Sequence, residues 1–341
     1  MLRFGVIGTG RISDWVLKGA AQDSRIKVTA VCSRTSEAAE AFVNRNPLAQ
    51  GAKIYTSVEE MAADPQVDAI YIGTPNQTHC DYTITCLKAG KHVLCEKPLA
   101  INAEQGRRMI EAARESGCLL MEAMVSTLNP NFRNVASKLS EIAPIRQYSS
   151  YFCQYSSKYE ALKKGDVATS FKPGTAGALR DVGVYTLYPL VALFGRPDCV
   201  QSRLNTIQTN EGEADVYGTA CLSYDGMDAV LSWSKSYDSF LPTEIAGERG
   251  NLILDEIHIA RKAEIVPHAA PTSGQGPKPG RALLSDGLPY NEYYYEFKEF
   301  ADLVDNGQTE SEYNSLETSL IVLEIIDEML GKNVDDSNKN E

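Results

Sequence analysis

The fold is decided by the stretch Val6-Ile7-Gly8-Thr9-Gly10-Arg11-Ile12-Ser13, which lies between a strand-like run at residues 2–7 and a helix-like stretch that reaches Gln22. Gly8 and Gly10 match the first two glycines of the pattern G-x-G-x-x-G, and Ser13 stands at the third. After a strand, the first glycine permits a tight turn, and the second lets the backbone approach a pyrophosphate at the N-terminus of the next helix. Ser13 is small enough for close packing of helix on strand. The pattern predicts a dinucleotide-binding turn made by Gly8, Thr9, Gly10, Arg11 and Ile12.

Apolar runs and helix-like segments alternate through the first third of the chain. Runs with the composition of buried strands lie at Ile26–Cys32, 67–72 and 92–95. Helix-like segments lie at 37–43, 81–89 and Ala103–Ser116. Strands that alternate with helices are typical of a parallel sheet covered on both faces. We predict an α/β Rossmann domain over residues 1–122.

The pattern changes after about residue 122. Short β-rich runs follow at 146–154, 217–224, 229–237 and Gly250–Leu254, and Asp225-Gly226 is a hairpin turn pattern. Helices are predicted at 182–194, 291–305 and 315–330, with a long loop rich in Pro and Gly over 266–287. We therefore predict an α+β domain over residues 123–330 and a frayed polar tail at 331–341.

Composition and charge exclude several classes of protein. Asp and Glu number 45 against 33 Lys and Arg, a net charge of −12, so a nucleic-acid-binding surface is not expected. No apolar run approaches the roughly 20 residues of a membrane helix, and no secretory signal is visible. The eight cysteines form no C-x-x-C pair, and the four histidines are not paired at ligand spacing. We predict no metal site, reduced thiols and a cytoplasmic location.

The end of the second strand bears on the choice of cofactor. It reads Ala30-Val31-Cys32-Ser33-Arg34-Thr35 and lacks the acidic residue that binds the ribose 2′-hydroxyl of NAD. Ser33 and Arg34 could instead hold the 2′-phosphate of NADP. The alternative is a solvated arginine at a strand end. We predict NADP as the cofactor, with NAD also possible.

Further motifs follow the glycine turn in a fixed order. The most specific is A-G-K-H-V-L-C-E-K-P at residues 89–98. The others are Thr74-Pro75-Asn76 with His79, Glu122-Ala123, G-A-L-R-D-V-G-V-Y at 177–185, and E-I-A-G-E-R-G at 244–250. Together they make the chain resemble, over nearly its whole length, the glucose–fructose oxidoreductase and inositol dehydrogenase family, also written Gfo/Idh/MocA.

The resemblance implies a Rossmann domain followed by a domain with a large, mostly antiparallel sheet, whose open face commonly packs against another subunit. It implies an NAD(P)-dependent oxidoreductase that transfers hydride between nicotinamide and a sugar or a related cyclic alcohol or carbonyl. We therefore expect a polyol or sugar substrate and a homodimer or higher homo-oligomer. The further cofactor contacts that it implies are Thr74, Pro75, Asn76, His79 (a weak candidate), Glu96 and Lys97.

Three residues are implied as catalytic. Lys97 of E-K-P would contact the substrate oxygen, and a cis peptide before Pro98 would turn it into the cleft. Tyr185 stands where many members have a proton-transferring His, which indicates a branch resembling dimeric dihydrodiol dehydrogenase. Asp181 lies four residues earlier, on the same helix face, and would bind a substrate hydroxyl. Taken alone, these residues also suit a solvated charge (Lys97), half-buried packing (Tyr185) and a helix N-terminal charge (Asp181).

The chain departs from the family's pattern at several positions. Thr175-Ala176 stands where the family often has two glycines, and Thr127 and Asn129-Pro130 stand where it often has Arg and His-Pro. These differences leave the substrate class open and keep a second hypothesis, a non-catalytic dinucleotide-binding sensor of the same fold. A purely structural subunit would explain none of the motifs. Retention of all three implied catalytic residues favours an enzyme.

Overall fold

The computed structural model describes residues 1–268 and 280–331, which form two compact units. The first unit contains Met1–Leu128 and Pro289–Leu323. The second contains Asn129–Leu288 and Glu324–Glu341, as far as these residues are described.

The first unit is built on a parallel six-stranded sheet, which confirms the predicted Rossmann fold. The strands lie in the order β3-β2-β1-β4-β5-β6, and each ladder between neighbours is parallel. The strand order reverses between β1 and β4, which is where ligands bind in such sheets. The strands are β1 (Leu2–Ile7), β2 (Ile26–Cys32), β3 (Lys53–Tyr55), β4 (Ala69–Ile72), β5 (His92–Glu96) and β6 (Leu120–Ala123).

Capping residues set the ends of several helices in the first half of the chain. The side chains of Thr35, Ser57 and Asn102 accept N–H bonds from the first turns of their helices. Gly117, with a φ of +65°, ends the last long one. The helices are α1 (Arg11–Ala20), α2 (Ser36–Arg45), α3 (Val58–Ala62), α4 (His79–Lys88), α5 (Ala103–Ser116) and α6 (Val125–Leu128).

The second unit contains an eight-stranded, mostly antiparallel sheet, as the resemblance implied. Its order is β14-β13-β12-β11-β7-β10-β9-β8, and the β7–β10 ladder is parallel. The predicted turn Asp225-Gly226 joins β9 to β10, with Gly226 at a φ of +73°. The strands are β7 (Ile145–Cys153), β8 (Cys199–Thr209), β9 (Gly212–Tyr224), β10 (Met227–Ser234), β11 (Thr243–Gly247), β12 (Gly250–Leu254), β13 (Lys262–Pro267) and β14 (Ala282–Asp286).

One long helix packs on this sheet, against β7 and β10. A π-helical turn at Leu179–Gly183 precedes it, so the helical backbone begins earlier than the predicted start at residue 182. Wide turns of this kind are frequent at functional sites. The helices of this unit are α7 (Pro130–Ser137), α8 (Leu139–Ile142), α9 (Tyr159–Leu162) and α10 (Val184–Phe194).

Two predicted helices complete the chain, α11 (Tyr294–Asp305) and α12 (Leu316–Met329). Both were predicted to lie in the second domain, whereas Pro289–Leu323 belongs to the first unit. The reason is aromatic packing, since the rings of Phe297 and Phe300 lie 5.2 and 5.4 Å from the ring of Phe4 in β1. An apolar helix face shows that it will be buried, but not which sheet will bury it.

The predicted long loop over 266–287 is wrong at both ends. Strand β13 reaches Pro267, β14 occupies Ala282–Asp286, and the two pair antiparallel. Residues 269–279 of that loop and 332–341 of the predicted tail lie outside the described residues. Two further strands were not predicted: β3, which has only three residues, and β8, whose residues are largely polar.

The two faces of the β9–β10 hairpin differ in burial. Leu222, Leu231 and Trp233 share one face and are fully buried. The opposite face carries the exposed Thr219, Cys221 and Ser223 together with the half-buried Tyr217 and Val230. The open face is therefore mixed, with both polar and apolar side chains.

None of the helices in the described part of the chain combines the length and the apolar character needed to span a bilayer.

Candidate functional site

Four adjacent strands of the first sheet carry the predicted cofactor residues at their carboxyl ends. Strands β2, β1, β4 and β5 are neighbours, and the carboxyl ends of parallel strands meet at one edge of a sheet. Ligands of doubly wound sheets bind at that edge. The residues that follow these strands, at 8–12, 33–34, 74–76 and 97, are all partly or fully exposed.

The two glycines of the turn after β1 have different roles. Gly8 has a φ of +99°, and a Cβ there would lie 2.5 Å from the carbonyl oxygen of Gly73, so the position requires glycine. A Cβ at Gly10 would meet nothing within 4 Å, so the space beside the N-terminus of α1 is open. Ser13 is buried, and its hydroxyl donates to the carbonyl oxygen of Gly8 at 2.8 Å. This geometry fits a phosphate-bearing ligand against the backbone of the turn.

Polar side chains link this turn to the end of β2. The hydroxyls of Thr9 and Ser33 lie 3.0 Å apart. Arg45 of α2, which sequence analysis missed, donates to the carbonyl oxygen of Thr9 at 2.8 Å and to the carboxylate of Asp14 at 2.9 Å. Arg34 is exposed directly after Ser33. Hydroxyls and a guanidinium in this place suit a ribose 2′-phosphate.

His79 lies at the start of α4 and supports the neighbouring loops. Its ring is fully buried, with nitrogens 2.9 Å from the carbonyl oxygen of Thr74 and 3.0 Å from that of Pro98. Burial lowers the pKa of His79, since an imidazolium is poorly solvated there. The ring holds the segments after β4 and β5 together, and this geometry gives no support to a direct cofactor contact.

Lys97 is placed at the surface by the end of β5. It is the one residue between 93 and 100 that is not buried. Its peptide bond to Pro98 is cis, as the resemblance implied. The buried carboxylate of Glu96 accepts hydrogen bonds from the Tyr71 hydroxyl at 2.8 Å and from the backbone N–H of Lys97 at 3.3 Å. These two hydrogen bonds to Glu96 hold the carboxyl end of β5 in place.

A second buried carboxyl lies next to this turn. Glu122 in β6 is 1% exposed and accepts a hydrogen bond from the backbone N–H of Leu99 at 2.9 Å. Burial raises the pKa of Glu122 to about 7, because the charged carboxylate loses its hydration. Hydrogen bonds from Ser319 and Leu99 oppose this rise. A carboxyl that titrates near neutrality therefore contacts the segment that follows Lys97.

In the second unit, Asp181 and Tyr185 stand out by their exposure. Asp181 lies in the π-helical turn, and Tyr185 lies in the first turn of α10. Between residues 176 and 191, these two are the only residues that are not buried. The prediction that they share one exposed helix face therefore agrees with the structure, although Asp181 belongs to the π-helical turn and Tyr185 to the α-helix that follows it.

Tyr185 belongs to an aromatic cluster that sequence analysis missed. Its ring meets that of Phe152 edge-on, with centroids 5.4 Å apart, and lies 6.2 Å from the ring of His258. His258 stacks on Phe152 at 4.2 Å. Asn131 supports the segment that carries His258 by donating to the carbonyl oxygen of Ala260, which has a φ of +48°. No contiguous motif marks this cluster, because it joins separate segments of the chain.

Two of the residues that depart from the family's pattern make hydrogen bonds within the fold. The hydroxyl of Thr127 contacts the carbonyl oxygen of Met124 and the side chain of Asn314. The side-chain amide of Asn129 donates to the carbonyl oxygen of Ile259. These polar residues hold backbone segments, so their presence does not argue against a functional site.

The predicted site residues fall into two sets. The cofactor residues and Lys97 belong to the first unit, and Asp181 and Tyr185 belong to the second. Among residues 1–268 and 280–331, no group of three or more His, Cys, Asp or Glu side chains is arranged to hold a metal ion.

Comparison with known proteins identifies both halves of the chain. Residues 2–124 match the model of the GFO_IDH_MocA oxidoreductase family with its NAD-binding Rossmann fold. Residues 140–253 match the GFO/IDH/MocA C-terminal domain.

Some of the similar proteins are dehydrogenases that match this chain over nearly their full length. The scyllo-inositol 2-dehydrogenase (NADP(+)) IolU of Bacillus subtilis (strain 168) is 39% identical over 330 residues, 96% of each chain. The trans-1,2-dihydrobenzene-1,2-diol dehydrogenase of Xenopus laevis is 30% identical over 336 residues, 96% of this chain and 97% of its own. The crystal structure of KijD10, a 3-ketoreductase from Actinomadura kijaniata in complex with NADP, has a TM-score of 0.77 at 25% identity and covers 97% of both chains.

These findings confirm the family, the fold and the oxidoreductase class predicted from the sequence. The NADP named for the relatives agrees with the predicted cofactor. The chain belongs to the GFO/IDH/MocA family of NAD(P)-dependent oxidoreductases.

Proposed function

We propose that this chain oxidises a secondary hydroxyl of a cyclic polyol or sugar with NADP and reduces the corresponding ketone in reverse. The observation that carries the proposal is the exposure of Asp181 and Tyr185 in a helical stretch whose other residues, from 176 to 191, are all buried. Side chains that only pack would be buried with their neighbours, whereas these two present a carboxylate and a phenol at the surface of the helix. These are the groups that bind a hydroxyl and move a proton.

The three implied catalytic residues have distinct roles in this proposal. Tyr185 exchanges a proton with the reacting oxygen, and Lys97 donates a hydrogen bond to the same oxygen. The ammonium stabilises negative charge that develops on that oxygen. Asp181 accepts a hydrogen bond from a neighbouring substrate hydroxyl. NADP, when bound, accepts or supplies the hydride.

The chain's own residues support NADP over NAD. Ser33 and the exposed Arg34 follow β2, where an NAD-selective fold carries a carboxylate. Thr9 lies 3.0 Å from Ser33 and places a further hydroxyl on that side of the turn. A scyllo-inositol dehydrogenase named for NADP(+) is among the relatives, which supports both the cofactor and a ring-shaped polyol as substrate.

The proposal is tested with purified protein and a panel of scyllo-inositol, myo-inositol, D-xylose and D-glucose. We expect NADP reduction with at least one cyclic compound, and loss of that reduction in Lys97→Ala and in Tyr185→Phe. Tight NADP binding without turnover of any compound would instead favour a sensor.

We also propose that the protein forms a homodimer or higher homo-oligomer through the open face of the second sheet. Val230 is a half-buried apolar residue on that face, and Phe240 and Leu241, which follow β10, are 95% and 57% exposed. Apolar side chains left in water favour self-association. Light scattering should show at least a dimer, and Val230→Arg should lower the mass; a wild-type monomer at micromolar concentration would contradict this.

The cysteines support a cytoplasmic location. All eight are free thiols, and six of them are buried. Burial raises the pKa of the Cys86 thiol to about 12, so this residue behaves as a small apolar group. Eight unpaired thiols suit a reducing compartment.

A further inference from the structure

Lys235 is a buried cation that no motif identifies. It follows β10 directly, and its side chain is 5% exposed. Its ammonium donates to the Oδ2 atom of Asp181 at 2.6 Å and to the carbonyl oxygen of Ser170 at 2.7 Å. It also lies 4.1 Å from the centre of the Phe171 ring. One side chain thus joins three groups from two other segments of the chain.

Because Lys235 is buried, its ammonium depends on these particular partners. A buried ammonium loses its hydration and needs hydrogen-bond acceptors and a counter-ion in return. The carboxylate of Asp181 is that counter-ion, and the carbonyl oxygen and the ring face complete the surroundings. Asp181 is itself 37% exposed, so the pair has a buried cationic end and an anionic end that reaches the surface.

We infer that Lys235 is a positioning residue for substrate binding, which holds the carboxylate of Asp181 in one orientation and ties it to the turn Thr169–Phe171. This inference rests on the proposed function, in which Asp181 binds a substrate hydroxyl. Lys235 does not itself touch the substrate. Lys235 restricts the motion of the Asp181 side chain before the substrate binds. A preorganised acceptor loses less conformational entropy on binding a hydroxyl than a mobile acceptor does.

A buried hydrogen bond of Asp215 stabilises the backbone at the start of the same helix. Asp215 accepts a hydrogen bond from the backbone N–H of Leu179 at 2.7 Å, and a Cβ at Gly177 would lie 1.6 Å from its Oδ1 atom. Asp215 therefore fixes the backbone of the π-helical turn, while Lys235 fixes the side chain that projects from it. Removal of Lys235 should release Asp181 and leave the backbone in place.

The test is a double-mutant cycle with Lys235→Met and Asp181→Asn, measured on the panel compound that the wild type oxidises fastest. Met keeps the apolar stem of Lys235 and removes its charge. We expect Lys235→Met to raise KM about tenfold or more, with a smaller effect on kcat and no change in the Kd for NADP. In the Asp181→Asn background the same change should raise KM little further, because the residue that Lys235 positions is already lost. Lys235→Arg keeps the charge and should restore most of the wild-type KM.

The outcomes separate the inference from the proposed function. An unchanged KM in Asp181→Asn would remove Asp181 from substrate binding and overturn the role of Lys235 with it, whereas a wild type that oxidises no compound of the panel would overturn the proposed function itself. A raised KM in Asp181→Asn with a normal KM in Lys235→Met would overturn only the role of Lys235. Additive effects of the two changes would likewise exclude positioning through Asp181. If Lys235→Met does not fold, as judged by circular dichroism, Lys235→Gln takes its place with the same expected order of KM values.

Discussion

The cofactor edge of the first unit and the Asp181–Tyr185 helix of the second are constructed by different means. At the edge, the candidate functional atoms are backbone groups and short side chains that directly follow parallel strands, such as Gly8 and Gly10 after β1. On the helix, partners from distant parts of the chain surround the candidate functional side chains: Lys235 contacts Asp181, and Phe152 packs against Tyr185.

This difference decides what can be recognised in each region. A turn between a strand and a helix is contiguous, so its residue types and spacing stay visible in the chain. A side chain that is held by another segment leaves no local pattern. The buried carboxyls differ in the same way, because Glu122 belongs to a recognisable motif, whereas Asp215 supports the π-helical turn from a separate strand.

Tyr185→Phe should have the largest effect and would show that the helix carries the proton-transfer chemistry. Loss of a general acid–base group lowers turnover about 10²–10⁴-fold. The Kd for NADP should stay near the wild-type value, because the cofactor residues lie in the first unit. Steady-state rates and a fluorescence titration measure the two quantities. If the variant keeps most of its turnover, Tyr185 is not the proton carrier.

Glu122→Gln should change how the stability of the first unit depends on pH. The pKa of Glu122 in the folded protein is about 7, above its ordinary value of 4.5, so between these values the folded protein holds a proton that the unfolded chain has released. The free energy of unfolding therefore falls as pH rises through this window, by at most about 3 kcal/mol from this group. The stabilisation is fully present below pH 4.5 and is lost above about pH 7.

Urea unfolding of Glu122→Gln and wild type at several pH values tests this. Gln resembles the protonated carboxyl and can still accept the bond from the Leu99 N–H. The difference in unfolding free energy between the two proteins should therefore vary from pH 5 to pH 8. Parallel pH profiles would show that Glu122 does not titrate in this window.

Arg34→Asp should reverse the cofactor preference and sharpen the assignment of the edge. A carboxylate at this position would repel the 2′-phosphate of NADP and accept a hydrogen bond from the 2′-hydroxyl of NAD. We expect NADP to bind about tenfold or more weakly and NAD to bind more tightly. Titration of both cofactors measures the ratio. Tighter binding of NAD than of NADP by the wild type would contradict the assignment.

Gly10→Ala should have the smallest effect and separates binding from folding. A Cβ at Gly10 meets nothing within 4 Å in the protein, so thermal unfolding should match the wild type. The added methyl would stand where a pyrophosphate approaches, and the Kd for NADP should rise about tenfold. The matched control in the second unit is Gly177→Ala, whose Cβ would overlap Asp215, so it should destabilise the fold. Equal behaviour of the two variants would contradict this comparison.

Much of the fold could be predicted from local patterns. The β1 strand, the glycine turn, α5 and the β9–β10 hairpin were predicted because each depends on contiguous residues. The predicted assignment of Pro289–Leu323 to the second domain differs from the structure, because the partner of an apolar helix face is a matter of tertiary packing. The ends of the predicted 266–287 loop were missed, because β13 and β14 are short and partly exposed.

The same distinction between contiguous residues and tertiary contacts applies to the candidate site. The dinucleotide turn, the family and the candidate residues Lys97, Asp181 and Tyr185 could all be identified in the sequence, because spacing along the chain carries that information. The burial of His79, the hydrogen bond from Arg45 to Thr9 and the ion pair of Lys235 with Asp181 depend on three-dimensional packing and could not be predicted. The physical reason is that a buried charge or ring is stabilised by whichever group folding places beside it, and that neighbour lies far away in the chain.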